Sequence, residues 1–493
     1  MQGREPHTSY DLIIVGAGIA GLTALHAAAV QLGRGARVLL IDAKDAPGGM
    51  WNHTYDYVRL HQPHAFFSPG ALPWGLGQPG HYLPRGDEVQ AHLATCLDQI
   101  GELLTLETQF GHVASDIREV DTEDVWAAEV DVHPTGVPGA MRTVTARRVI
   151  DAAGFDHAPL GPLELSSGQV HAATPESLGP ALAAHPAAPA YVVGGGKTGM
   201  DTILAIAADN PQRRIVLING GGTYFMSRDR LFPTGLRRWF GGTVSITMLR
   251  DCVMRFDGRN EDAVRAHFQS HYAAPHDSRA KSFVWGVQSG DEAQRVAAAL
   301  SETVWDYLED ITDGPDGPQM HLRGGATRAI EPGSLVVNCK SSLVLAADDT
   351  PARPVLSPHD VILSIGTRQA IHLLTSVSSF VLSNLFLTGQ MRDAGLYFVD
   401  LDALLAKDKA AFSATTFLLA YYNALMGLRP LSPEARAGFG FDTNNWFPAP
   451  RRLLALNAIR KTAREDLKHC RKSLDVVMER FGIAGGLLAL MED

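Results

Sequence analysis

Cysteine is scarce in this chain: four residues in 493, at Cys96, Cys252, Cys339 and Cys470. None stands at the spacing of a redox dithiol or a zinc clip, so neither dithiol exchange nor a disulfide scaffold is expected, and a reducing cytoplasm is the simplest setting. Long hydrophobic runs are missing too. No stretch reaches the roughly eighteen apolar residues of a membrane span, and the polar opening residues run into a strand with no secretory leader. Basic charge is the minority: 43 Lys and Arg against 53 Asp and Glu give a net charge of -10. That balance repels nucleic-acid phosphates, and the short Arg237–Arg238 and Arg451–Arg452 pairs do not reverse it. His53, His61 and His64 have no cysteine or acid to complete a compact ligand set, so no metal is expected. Hydrophobic residues make up 45% and charged ones 19%, the composition of a globular chain long enough for two or three domains.

What is present is a nucleotide fingerprint, twice. Tyr10–Val15 is an apolar, β-branched run that stops at Gly16-Ala17-Gly18-Ile19-Ala20-Gly21. A helix-forming stretch and a second apolar strand, Arg37–Ile41, follow, and that strand ends on Asp42. Strand, glycine turn, helix, strand and acid form the dinucleotide-binding βαβ pattern. Gly16 permits the sharp turn, Gly18 admits a pyrophosphate to the backbone, and Gly21 lets helix and strand approach. The helix N-terminus offers free N–H groups to phosphate, and Asp42 can accept hydrogen bonds from a ribose. Gly48-Gly49-Met50-Trp51 comes next. Its paired glycines let the chain pass close to a bulky ligand that Trp51 can cover, which favours FAD, with Gly49, Met50 and Trp51 as contacts.

The second fingerprint is Gly194-Gly195-Gly196-Lys197-Thr198-Gly199 after the strand Ala190–Val193. Gly194, Gly196 and Gly199 take the three glycine roles, with Lys197 and Thr198 opening the helix. The following strand, Arg214–Ile218, ends on Asn219 where an acid would repel a 2′-phosphate. With Arg213, Arg214, Arg228 and Arg230 as nearby positive charge, NADPH is expected, NADH being the alternative.

These pieces, in this order, resemble the class B flavoprotein monooxygenases: flavin-containing monooxygenases, their plant relatives and Baeyer–Villiger enzymes. The match rests on Gly48–Trp51, on Tyr57-Val58-Arg59-Leu60-His61-Gln62-Pro63-His64 and on Tyr82-Leu83-Pro84-Arg85. The resemblance implies an α/β fold of two Rossmann-like dinucleotide-binding domains, the NAD(P)H domain inserted in the FAD domain, with a helical insert and a C-terminal helical tail. The expected divisions are 1–158 and 356–450 for FAD, 159–355 for NAD(P)H with an insert at about 231–318, and 451–493 for the tail. It further implies transfer of one oxygen atom from O2 to a small organic molecule through a C4a-(hydro)peroxyflavin, with N or S oxygenation or hydroxylation favoured. His61 and Gln62 fall at the catalytic position beside the flavin, and Arg228 at that of an NADPH-binding arginine. Two departures stand out. The Ser166–His171 segment spaces its glycine and histidine more closely than the family signature, which counts against the Baeyer–Villiger branch. Gln390 stands where an Asp is usual.

Asn384–Gln390 reads as a strand that brings Gly389 and Gln390 to the flavin, and Val149–Gly154 and Val361–Thr367 read as crossings between domains. Asp291–Ile311 reads as helix. The insert, with Trp239, Phe268, Tyr272 and Trp285, caps the substrate side or makes an oligomer contact such as a homodimer, and simple core packing accounts for these aromatics equally well. Leu453–Phe481 has helical apolar spacing with Lys and Arg opposite, an amphipathic helix folded onto the body. A non-oxygenating quinone-type reductase and a non-catalytic flavin-binding protein remain as rival readings.

Overall fold

The computed structural model describes residues 9–122, 125–153, 160–283, 285–340 and 353–488. The chain opens with β1 (Ser9–Val15), α1 (Ile19–Gln31) and β2 (Arg37–Asp42), then α2 (Gly86–Gly101) and β3 (Thr105–Phe110). A meander of β4 (His112–Asp121), β5 (Trp126–Pro134) and β6 (Arg142–Asp151) completes the first half. β1, β2 and β3 pair in parallel, and β6 pairs in parallel with β1, setting Val15 beside Asp151. β6 is long because it serves two neighbours: Arg142–Ala146 pairs antiparallel with β5, while Val149–Asp151 pairs parallel with a later strand.

A second unit repeats the plan. β7 (His171–Ala173), α3 (Leu178–Ala184), β8 (Ala190–Val193), α4 (Lys197–Asp209) and β9 (Ile215–Ile218) begin it. The chain then leaves the sheet for a pair of short parallel strands, β10 (Met226–Ser227) and β11 (Val287–Gln288). Between them lie α5 (Arg228–Leu231), α6 (Arg237–Phe240), α7 (Ser245–Val253) and α8 (Glu261–His271). It returns through α9 (Gly290–Ala299) and β12 (Glu302–Val304), makes a meander of β13 (Leu308–Gly314), β14 (Gly317–Leu322) and β15 (Thr327–Ala329), and closes with β16 (Leu335–Asn338). The sheet order β12-β9-β8-β16-β7 parallels β3-β2-β1-β6 of the first unit. Leu12–Val15 of β1 and all of β8 are apolar and buried, as expected for parallel strands covered on both faces.

β17 (Ile362–Ser364) returns to the first sheet beside β6, and α10 (Thr375–Leu387) packs along α1. β18 (Tyr397–Val399), α11 (Leu401–Lys407), α12 (Lys409–Gly427), α13 (Pro433–Ala437) and the 33-residue α14 (Ala449–Phe481) follow. β19 (Gly485–Leu487) pins the tail against β18. Helices α7, α8, α12 and α14 share one apolar core, with Phe268, Phe283, Phe412 and Leu474 inside it.

Three expectations are corrected. The Asn384–Gln390 segment is no strand: it lies at the end of α10, a helix buried on every side and therefore without the polar face that marks helical period. The helix expected over Asp291–Ile311 stops at Ala299, and β12 and β13 follow. Ser289 starts α9 with a capping box to Glu292. The helical excursion therefore runs from Arg228 to about the Ser289 cap, and the rest of 231–318 holds α9, β12, β13 and the start of β14. The boundary between 158 and 159 and the end of the 149–154 strand at Gly154 lie outside the described residues.

Candidate active site

At the first turn the three glycines meet different surroundings. Gly16 has φ 97°, and a Cβ there would press on the Ala152 carbonyl. A Cβ on Gly21 would run into the Gly16 carbonyl oxygen, so only glycine lets α1 sit this close to β1. Gly18 caps α1 with no side-chain hydrogen bond, which leaves first-turn N–H groups open. The Asp42 carboxylate fixes the turn: Oδ2 accepts the Ala17 N–H at 2.5 Å and Oδ1 accepts that of Lys44 at 2.8 Å. Lys44 Nζ donates to the Gly49 carbonyl at 3.0 Å, folding Gly48–Trp51 across Gly18, and Trp51 stands edge-on to Phe67 at 5.8 Å.

The second turn repeats this geometry. Gly194 has φ 119° and backs onto the Cys339 carbonyl, and a Cβ on Gly199 would collide with the Gly194 carbonyl oxygen. Gly196 differs: a Cβ there would meet nothing within 4 Å. Lys197, just beyond it, is ion-paired with Asp201 and lies 3.9 Å from Glu292. Asn219 ends β9 with its Oδ1 buried and lacking a hydrogen-bond partner, against Gly195.

Three of the four arginines expected near Asn219 are committed elsewhere. Arg213 and Arg214 precede β9, about 13 Å from its C-terminal end at strand rise. Arg213 is buried, donating to the carbonyls of His185, Pro186 and Ala188, and Arg214 pairs with Glu331. Arg228 pairs with Glu292 at 2.7 Å and donates through Nε to the His61 carbonyl at 2.9 Å. None of these three gives positive charge to a 2′-phosphate beyond Asn219.

One cavity of about 760 Å³ joins the two turns. Gly16, Gly18, Asp42, Gly49, Met50 and Trp51 line one end; Gly196, Lys197 and Thr198 line another. His61 and Gln62 stand on the same wall, with Gln62 donating to the Phe66 carbonyl at 3.0 Å. Gly389 and Gln390 do not belong here. They follow the C-terminal end of α10, whereas Thr375 and Ser376 at its N-terminal end line the cavity.

His61 departs from the near-neutral behaviour its sequence suggests. Burial, helped by the positive charges of Lys197 and Arg228, pushes its pKa down to about 3. Nδ1 accepts the Val287 N–H at 3.1 Å, which leaves the proton on Nε2. His61 is therefore a neutral Nε2–H donor at physiological pH. His372 was missed in the sequence and has the same build. It lines the cavity, Nδ1 accepts the Leu374 N–H at 2.9 Å, and burial lowers its pKa to about 4. Trp285, whose indole donates to Thr416 Oγ1 at 2.8 Å, stands 5.5 Å from the His372 ring. The N-terminus of α10 beside His372 also lacks a side-chain cap. Neither His372 nor this helix end carries a motif; only the tertiary fold brings them to the cavity.

Beyond these groups the lining is mainly apolar, with Ser245, Asn423, Thr443 and Asn444 among its neutral polar side chains. Phe66, Phe232, Ile246, Met248, Leu249 and Phe441 line this lobe. The charged cavity residues Asp42, Lys44, Arg59, Lys197 and Asp201 lie on the two turns and the loop between them, which leaves Asp442 as the charged side chain of the lobe. Its Oδ1 already accepts the Asn444 N–H at 3.0 Å.

Buried neutral histidines set a pH dependence. His61 is held at about 3, and His92 and His372 at about 4, chiefly by burial. The unfolded chain protonates the same groups near 6.5, so it takes up protons first as pH falls. Their stability contribution is complete above about pH 6.5 and is lost as pH drops towards 4. A melting series from neutral to mildly acidic pH should show Tm falling, and His372→Asn should flatten part of that fall. An unchanged slope in the variant would contradict the assignment.

Residues 14–73 match the family described as NAD(P)-binding Rossmann-like domain. An uncharacterized protein of Mycobacterium tuberculosis is 38% identical over 74 residues, 15% of this chain and 13% of that protein. The thiamine thiazole synthase of Aeropyrum pernix is 31% identical over 165 residues, 31% of this chain and 57% of that enzyme. Both matches thus span well under the relatives' full length. Among solved structures, the FAD-bound cadaverine monooxygenase DfoA of Erwinia amylovora superposes with a TM-score of 0.50 at 12% identity, covering 78% of this chain and 95% of that one. The likeness establishes the fold: two Rossmann-like units arranged as in that structure. Residues 14–73 lie within the first of them.

Proposed function

We propose that this chain is an FAD-dependent, NAD(P)H-consuming monooxygenase of the flavin-containing monooxygenase type that acts on a small, largely apolar molecule. The observation that carries the reading is a single cavity reached by both glycine turns, with His61 between them. The turns fit dinucleotides because Gly196 faces open space and Gly18 meets only Gly49 backbone at ordinary contact distance, while their partner glycines are wedged against backbone. Bound FAD would supply the redox chemistry, taking hydride from NAD(P)H and passing electrons to dioxygen.

The chain's own groups do the rest. The Gly16–Gly21 turn and the start of α1 would hold the FAD pyrophosphate, Asp42 its ribose, and Gly49–Trp51 would cover it. The uncapped N-terminus of α10, with Thr375 and Ser376, faces the cavity and would favour negative charge on a group held there. Gly194, Gly196, Lys197, Thr198 and Gly199 would hold the nicotinamide dinucleotide, with Asn219 accepting from its ribose. Without a carboxylate to repel a 2′-phosphate, or Arg213, Arg214 or Arg228 to bind one, NADPH and NADH are both expected to serve. His61, joined by Gln62, offers a fixed neutral N–H to the reacting oxygen, and Arg228 positions His61 through its carbonyl. The apolar lobe holds the substrate and keeps water away. Four buried free thiols suit a cytoplasmic enzyme.

Anaerobic reduction with NADPH and NADH, followed by oxygen and a panel of apolar amines, sulfides and ketones, tests this. Coupled nicotinamide oxidation and product formation is the expected outcome. Reduction followed by release of hydrogen peroxide alone with every compound would make the chain a non-oxygenating oxidoreductase.

A further inference from the structure

We propose that the surface formed by α6 and the first turns of α14 docks this protein on an anionic lipid surface. Among the described residues the three most exposed large apolar side chains are Phe240 (88%), Leu236 (76%) and Leu454 (72%), and all three lie here with Leu453 (61%). Trp239 is half exposed beside them. The two elements form one patch: Arg451 Nη1 donates to the carbonyls of Arg238 at 3.0 Å and Gly241 at 2.5 Å, and Arg238 donates to that of Trp446. A patch of this kind marks an interaction site.

Charge identifies the occupant. The patch is rimmed by Arg237, Arg238, Arg451 and Arg452, and among the described residues none of the four is ion-paired with a carboxylate. Arg238, Arg451 and Arg452 spend donors on neutral oxygens. Helix α14 carries nine Lys and Arg against four Asp and Glu, in a chain whose net charge is -10. Arg460, Lys461, Arg464, Lys468, Arg471 and Lys472 continue the positive charge along its exposed side. Exposed Trp, Phe and Leu set among unpaired basic residues fit the boundary between acyl chains and anionic headgroups. A second copy fits poorly, because a two-fold contact through the patch would set its arginines against themselves. The cavity lies just inside: Phe232 and Asn444 line it, and the Trp446 indole between them donates to Pro233 at 2.7 Å. An apolar molecule dissolved in the bilayer would have a short route to the lobe.

This reading does not depend on the reaction proposed above. The FAD-loaded full chain is sedimented with phosphatidylcholine vesicles, plain or containing phosphatidylglycerol, at low and high salt. Expected are pelleting with the anionic vesicles only and release by salt. Phe240→Ser with Leu454→Ser should weaken partitioning at least about tenfold, and Arg237→Gln about fivefold. Both variants change exposed side chains, so flavin content and Tm should match the parent. Failure to pellet with anionic vesicles at low salt would overturn the proposal. So would equal pelleting of the variants, or a concentration-dependent dimer in light scattering that the variants abolish.

Discussion

Gly196→Val is expected to leave the protein folded and loaded with flavin, yet unable to take hydride from NAD(P)H. Gly196 caps α4 at φ -75° and ψ -176°, which valine adopts readily. No protein atom lies within 4 Å of its Cβ position, so the new side chain displaces nothing of the protein itself. It fills the space beside the free N–H groups at the start of α4, where a pyrophosphate would sit. A loss of about 3 kcal/mol of nucleotide binding corresponds to at least about a hundredfold higher Kd. The rate of anaerobic reduction at fixed, subsaturating NADPH reads it directly. Unchanged reduction in a normally folded variant would show that the nicotinamide binds elsewhere.

Gly21→Val should do the opposite, damaging the fold around the first turn and emptying it of flavin. Its Cβ would land on the Gly16 carbonyl oxygen, and Gly16 itself is wedged against Ala152. Backbone on both sides leaves no flexible side chain to yield, so α1 must shift from β1. Overpacking of this kind costs about 1–3 kcal/mol or more, and the shift moves the open N–H groups away from the ligand. The variant should purify with little FAD and a Tm lowered by several degrees. Full flavin content at the parent Tm would contradict the packing role. The two variants together separate a glycine needed for ligand space from one needed for helix–strand contact.

The same distinction explains what the sequence disclosed. Both glycine turns were legible because their residues act through local geometry: strand, tight turn and helix start fall within about twenty residues. Asp42 followed from its place at the end of β2. The C-terminal helix was legible from apolar spacing because only one side of α14 is buried. Helix α10 was not, since Phe380, Leu382, Leu385 and Phe386 are all buried and leave no polar face to set a period. With α10 misread, Gly389 and Gln390 were assigned to the cavity in place of Thr375 and Ser376 at the opposite end.

Charge was the second blind spot. Arg213 and Arg214 stand near Asn219 in sequence but at the far end of β9 in space, and a short list of positive residues does not reveal which end of a strand each one serves. His61 was found by resemblance, yet its state depends on Lys197, Arg228 and Val287, which lie more than one hundred residues away along the chain. His372 has no local signature at all. Its role rests on the Leu374 N–H that fixes its tautomer and on the cavity that Trp285 shares with it.

The central claim is that two dinucleotides meet in one cavity. Anaerobic titration of the purified, FAD-supplemented protein with NADPH and NADH tests it most directly. The account predicts one bound FAD per chain and bleaching of its yellow absorbance by either nicotinamide. A chain that takes up no FAD, or holds FAD that neither nicotinamide bleaches, would contradict it.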